Sequence, residues 1–293
     1  MCQRGLSRVF PLQMTSERQP AANRESHRAR FSWTPLQQER LRQVQSVLGE
    51  LSEYKPLTLR QVYYQLVGKR YIENNKSQYS MLSRLLKWAR IHGHVSWEDI
   101  EDRVRAFHSA QGWNDKKHFI QDQSKDFLER YRRDLLQSQD TYLEVWIEKD
   151  ALSSIFTRVC SPYCVSVIVC RGFSSVSFLH DFQKRLVHHQ KQQPVMLYFG
   201  DFDPSGMEMM EAMKKTLTDE LNVRGITFKR VALTLDDVHT YQLPHSPDAL
   251  KKTDTRAKKH SAAYGDLAVE LDALSPAVLE EKIRHALEEE LDM

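Results

Sequence analysis

Three carboxylates stand out by where they fall in the chain. Glu148 closes an apolar run, in Val145-Trp146-Ile147-Glu148-Lys149-Asp150-Ala151, and Asp201 and Asp203 follow a second such run, in Gly200-Asp201-Phe202-Asp203-Pro204-Ser205-Gly206. Carboxylates gathered in one cleft repel each other and titrate abnormally unless a hard dication neutralises them, and Mg²⁺ (or Mn²⁺) takes oxygen ligands. Glu148, Asp201 and Asp203 therefore form the candidate metal and acid/base set. Asp203 ahead of Pro204 is also a good helix cap, and Gly200 and Gly206 suit a turn. The Asp-x-Asp spacing alone is thus a weak signal, and its combination with a strand-end Glu is the stronger one.

For these groups to meet, the fold must bring two strand ends to the same edge. Apolar runs at 142–147, 165–170, 195–199 and 226–231 alternate with helical stretches at 151–159, 174–189 and 205–221. Such alternation specifies an α/β fold with a buried, mainly parallel sheet and right-handed crossovers, whose chemistry sits just past the carboxyl ends of the strands. Upstream the period changes to short amphipathic helices. Thr34 with Pro35 opens one that ends near Gly49, Thr58 opens a second that ends at Gly68, and a third spans 77–91, stopped by Gly93. With an extended stretch at 94–97 they outline a winged helix-turn-helix, whose third helix enters the DNA major groove. Arg84, Lys87 and Arg90 drift slowly around that helix and can follow a phosphate track, although basic residues on a solvated face are also common.

The expected organisation is a flexible basic arm at 1–32, a winged-helix DNA-binding domain at 33–107, a helical connector at 108–140 and a metal-binding catalytic domain at 141–293. Charge supports this division. The 293-residue chain has a net charge of only +3, yet residues 1–110 hold 18 Lys/Arg against 10 Asp/Glu, or +8, which leaves −5 for the rest. A basic module suited to a polyanion precedes an acidic one suited to cations. With 41% hydrophobic and 28% charged residues, disorder, collagen and coiled coil are excluded as the main architecture. No apolar run approaches the roughly 18 residues of a membrane span, so no membrane partner is expected. Four cysteines without a Cys-x-x-Cys pair argue against a disulfide scaffold or a zinc site, and a reducing cytoplasm is the expected location. The arginine-rich leader is left unassigned, since Met14 would serve equally well as a start.

Glu148-Lys149-Asp150-Ala151 together with Gly200-Asp201-Phe202-Asp203-Pro204-Ser205-Gly206 resembles the Toprim domain, the metal-dependent fold of topoisomerases, primases and several nucleases. Thr58-Leu59-Arg60-Gln61-Val62-Tyr63-Tyr64 resembles the winged-helix start of the A subunit of DNA topoisomerase VI and its meiotic double-strand-break relative. The likeness is closer to small bacterial and phage Toprim proteins of unassigned role, through Arg171-Gly172-Phe173-Ser174-Ser175, Thr253-Asp254-Thr255-Arg256-Ala257-Lys258 and Glu270-Leu271-Asp272-Ala273-Leu274, and it covers about residues 34 to 285.

The resemblance implies that Glu148, Asp201 and Asp203 handle metal and protons, and that Tyr64 attacks a DNA phosphodiester and becomes linked to its 5′ end. A phenol needs a nearby base or cation for this, and Arg60 lies one helical turn before Tyr64. If Tyr64 is instead an ordinary core residue, the same cluster would activate water and the protein would be a hydrolytic nuclease. Arg60, Arg171 with Ser174, and the basic loop Lys251, Lys252, Arg256, Lys258 and Lys259 are candidate DNA contacts, and Glu270 and Asp272 are candidate supporting carboxylates. His188 and His189 read as surface residues. A homodimer is expected if both strands are cut. No Gly-x-x-x-x-Gly-Lys-Ser/Thr loop is present, so strand passage would need a separate ATPase subunit or complex partner. Two other classes stay open: a DNA-binding or assembly module without turnover, in a plasmid, phage or defence complex, and a primase-like nucleotidyl transferase.

Overall fold

The protein is described from a computed structural model over residues 32–101, 112–130, 133–172, 174–191, 193–246 and 255–292, with the backbone alone at 128–130 and 255–259. The expected basic arm, residue 173 and the loop lysines Lys251 and Lys252 lie outside the described residues, as do the side chains of Arg256, Lys258 and Lys259.

Local signals set the first helices. Helix α1 (Pro35–Glu50) begins on a reciprocal cap, Thr34 accepting from the Gln37 N–H and Gln37 from that of Thr34, and it buries Leu41, Val44, Val47 and Leu48 at helical spacing. Strand β1 (Leu57–Thr58) leads into α2 (Leu59–Gly68) through the same kind of cap, between Thr58 and Gln61. Helix α3 (Lys76–Ile91) is capped by Asn75 and buries Leu82, Leu85, Leu86 and Ala89. The wing does not form where it was expected. Residues 94–97 make bends and turns, and the pairing nearby is a parallel one between β1 and β2 (Ile100–Glu101). Ser96 is the cause: its hydroxyl accepts the Glu98 N–H and turns the chain.

Helix α4 (Lys116–Arg130) precedes the α/β part. There β3 (Thr141–Ile147), α5 (Ser153–Cys160), β4 (Ser166–Val169), α6 (Val176–His189), β5 (Gln193–Phe199), α7 (Pro204–Lys215) and β6 (Thr227–Ala232) alternate as expected. A π-helical turn, Thr216–Glu220, extends α7. Helices α8 (Leu235–Thr240), α9 (Thr255–Tyr264) and α10 (Pro276–Glu288) follow, with a 3₁₀ turn at Leu271–Ala273 ahead of α10.

All four long strands are parallel, in the order β4-β3-β5-β6. Alternation along them separates two faces. Leu143, Val145, Ile147, Val195, Leu197 and Phe199 join α5, α10 and the apolar sides of α1–α3 in one continuous cluster. Tyr142, Trp146, Met196 and Tyr198 pack on α6 and the end of α7. Glu144 lies on this second face, fully buried, and is neutralised by Arg185 at 2.6 Å while accepting from the Trp146 indole N–H at 2.8 Å. No helix among the described residues is long and apolar enough to cross a membrane.

The order of the strands positions the site. From β3 the chain steps outward to β4, then crosses back over β3 to β5, so the connections diverge between β3 and β5 and leave a crevice at their carboxyl ends. Glu148 and Asp201 flank that crevice. A later segment closes on it: the backbones of Phe202 and Val269 exchange hydrogen bonds of 2.8 and 2.9 Å, which carries the 3₁₀ turn with Glu270 and Asp272 to the same edge.

Candidate active site

The ladder continues one residue beyond β3, where the Glu148 N–H donates to Phe199 O at 3.0 Å, so the Glu148 side chain is held at the strand end rather than in a free loop. Its Oε2 accepts the Asp201 N–H at 2.9 Å. Asp203 is the N-cap of α7, its Oδ1 accepting the Gly206 N–H at 2.6 Å. Gly206 permits this convergence. A Cβ there would lie 2.3 Å from the Asp201 carbonyl oxygen and 3.1 Å from Glu148 Oε2, so the first turn of α7 approaches Glu148 as only glycine allows.

Asp201 faces the other way. Its Oδ1 accepts the Leu271 N–H at 2.8 Å and pairs with Lys149 Nζ at 2.9 Å. Lys149 also reaches Glu270 Oε2 at 3.0 Å and Asp272 Oδ2 at 2.9 Å, and Arg60 pairs with the same Glu270 oxygen at 3.0 Å. Burial opposes the charge on Lys149, but Asp201, Asp272 and Glu270 outweigh it and hold its pKa well above the usual lysine value. Arg230 supports the turn from beneath, donating to Leu233 O at 2.8 Å, Gly206 O at 3.1 Å and Gly200 O at 3.1 Å, and also to Asp201 O.

Lys149 also pulls Glu148 and Asp203 down, but not enough to cancel what raises them. Burial, then the Asp201 carboxylate and to a smaller extent Asp203, push Glu148 up to about 7. Burial and Asp201 also raise Asp203, against the pull of the Gly206 N–H. Two neighbouring carboxyls that resist ionisation are what a dication would relieve, and Mg²⁺ is commonly held by one or two carboxylates, with water and substrate phosphate completing its shell. Glu148 and Asp203 are the carboxyls here that could hold such an ion. Among the described residues, no three His, Cys, Asp or Glu side chains are grouped as ligands of one metal.

These raised carboxyls give a pH signature. Glu148 ionises more readily in the unfolded chain, near 4.5, than in the fold, so its contribution to stability is complete below about 4.5 and is lost as pH rises to about 7. Metal-free protein should melt lower at pH 7.5 than at pH 5, and Glu148→Gln should raise the melting temperature at pH 7.5 by about 5 °C while flattening the profile. Thermal melts in chelator across this range check it. A variant profile parallel to that of wild type would refute the assignment.

Tyr64 lies on α2, only 4% exposed, edge-on to Tyr63 at 5.2 Å and hydrogen bonded with Ser246. Burial and then Glu270 raise its pKa, and the opposing pull of Arg60 and Lys149 is too weak to reverse this. Arg60 thus acts on the phenol in the expected direction, but burial outweighs it. Of the candidate DNA contacts, Arg84 and Lys87 are exposed on α3. Arg90 is tied down, donating to Trp97 O and Ile100 O at 2.9 and 3.0 Å with its guanidinium 4.4 Å from the centre of the Trp97 ring. Arg171 sits at the end of β4, 74% exposed, and pairs with Asp150 at 2.7 Å. The Ser174 hydroxyl turns instead onto the Met213 sulfur, and His188 and His189 are exposed as expected.

Two residues central to this geometry escaped the sequence reading. The sequence alone singles out neither Lys149 within its motif nor Arg230 within its strand. Arg230 follows Lys229 in a strand of mixed character, and nothing in the sequence distinguishes the two. No protein-family model matches the chain, and no curated protein matches it.

Proposed function

We propose that the protein is a Mg²⁺-dependent DNA nuclease of Toprim type, with α1–α3 as its DNA-binding part and water as the attacking group. The carrying observation is that Glu148 and Asp203 both reach Gly206 in the first turn of α7 at the strand switch, both with raised pKa. A groove of about 570 Å³ is lined by Arg60, Tyr79, Lys87, Arg90, Trp97 and Glu101 from the N-terminal part and by Asp150, just past the end of β3. A second cavity, which shares Arg60 and Tyr79 with it, reaches Glu270. Cations interleaved with aromatic rings suit a nucleic-acid strand, the former meeting phosphates and the latter stacking on bases.

Glu148 and Asp203 would hold the metal. When bound, Mg²⁺ polarises a phosphodiester oxygen and offsets charge on the leaving oxygen. A carboxylate of this set would take the proton of the attacking water. Arg60 faces the groove and steadies a phosphate, while Asp201, Lys149 and Arg230 fix the loop that carries both acids. Cutting both strands calls for a second copy of the chain. Attack by Tyr64 is the second reading, favoured by its place beside Arg60 and Glu270.

Supercoiled plasmid with Mg²⁺ or Mn²⁺ separates these. Wild type should nick or linearise it, Tyr64→Phe should retain cleavage within about threefold, and no protein should remain on the 5′ ends. Loss of cleavage in Tyr64→Phe together with 5′-linked protein would establish transesterification instead. Absence of metal-dependent cleavage by wild type would favour a DNA-binding module without turnover.

A further inference from the structure

Lys149 occupies a place built for a bound cation. Its Nζ lies 2.9 Å from Asp201 Oδ1, 3.0 Å from Glu270 Oε2 and 2.9 Å from Asp272 Oδ2. The ammonium donates hydrogen bonds to Glu270 and Asp272 and forms an ion pair with Asp201, carboxylates from two distant parts of the chain. The side chains are nearly enclosed, 16% exposed for Lys149, 9% for Asp201 and 0% for Asp272. One oxygen of this cage is unused: Asp272 Oδ1 is buried without a hydrogen-bond partner. A buried carboxylate with an unmet acceptor is costly, and one ammonium leaves it so.

We propose that Lys149 takes the place of a second divalent cation. The chain loads a single Mg²⁺, at Glu148 and Asp203, while Asp201, Glu270 and Asp272 form a latent second site that the chain's own ammonium keeps filled. The first clause rests on the nuclease reading above, and the second rests on the cage alone. The fixed cation also ties the end of β5 to the 3₁₀ turn, so the loop holding Asp203 is braced before any metal arrives. Removing the ammonium leaves three carboxylates with only Arg60, on Glu270, to offset their charge, which is the setting a dication occupies.

Mn²⁺ binding to the full-length protein, read from the electron paramagnetic resonance of the free ion, tests this. Wild type should bind one Mn²⁺ per chain and Lys149→Ala two, with the added ion lost again in Lys149→Ala/Asp272→Asn. If Lys149→Ala does not fold alone, Mn²⁺ should restore its melting transition, and that of Lys149→Ser, because the dication replaces the missing charge. Two ions on wild type, no added ion on a folded Lys149→Ala, or variants left unfolded in Mn²⁺ would each overturn the proposal. No ion on wild type together with an added ion on Lys149→Ala would defeat the nuclease reading and leave the cage assignment standing.

Discussion

Asp203→Asn should reduce metal-dependent DNA cleavage by on the order of a thousandfold and leave the melting temperature within about 2 °C of wild type. The substitution separates the two roles that Asp203 plays. As the cap of α7 it accepts the Gly206 N–H at 2.6 Å, and an asparagine side-chain oxygen does this as well as aspartate. As a metal ligand it supplies charge, which asparagine lacks. Loss of a favourable helix-dipole interaction costs a few tenths of a kcal/mol to about 1 kcal/mol, and relief of repulsion with Glu148 returns a similar amount. Stability is therefore a weak readout and cleavage a strong one. Initial nicking rates at saturating Mg²⁺, beside thermal melts, make the comparison. A rate within a few fold of wild type would leave Asp203 as a helix cap and move the metal elsewhere.

The sequence was most informative where the physics is local. The caps of α1 and α2 follow from Thr34 and Thr58 with a glutamine three residues on, and the strands follow from short apolar runs bounded by polar residues. Because parallel strands end on one side, Glu148 and Asp201 were expected at a common edge, and they occupy it although 53 residues separate them. What Lys149 would touch was not legible. Its contacts with Glu270 and Asp272 span 121 and 123 residues and depend on one isolated pairing, Phe202 with Val269, that carries no periodic signature. The same limit explains the wing. Helical spacing put Arg90 away from the apolar core of α3, but the turn made by Ser96 folds the next residues back over it, and Arg90 spends its donors on their carbonyls. Tyr64 was expected one turn from Arg60, which does pull its pKa down, but burial and then Glu270, distant in sequence, pull harder the other way.

Gly206→Ala should destabilise the fold by about 3 kcal/mol, a drop of roughly 6 to 10 °C, and depress cleavage by at least about a hundredfold. Ordinarily, alanine in place of a helical glycine stabilises by up to about 1 kcal/mol, because glycine loses more backbone freedom on folding. Gly49 in α1 is such a case, with nothing within 4 Å of a Cβ built on it, and Gly49→Ala should raise the melting temperature slightly. At Gly206 the sign reverses. The new methyl would sit 2.3 Å from the carbonyl oxygen of Asp201, which Arg230 holds in place and which has no rotamer through which to escape. It would also sit 3.1 Å from Glu148 Oε2, in the space through which Glu148 reaches the Asp201 N–H. Either α7 lifts from the strand ends, taking Asp203 with it, or Glu148 turns aside, and both outcomes separate the two carboxylates that would share the metal. Melts of the two alanine variants side by side, with Mn²⁺ titrations of each, decide the matter. Equal stability and unchanged Mn²⁺ affinity in Gly206→Ala would mean that Glu148 does not approach the first turn of α7, and that the metal assignment to Glu148 with Asp203 is wrong.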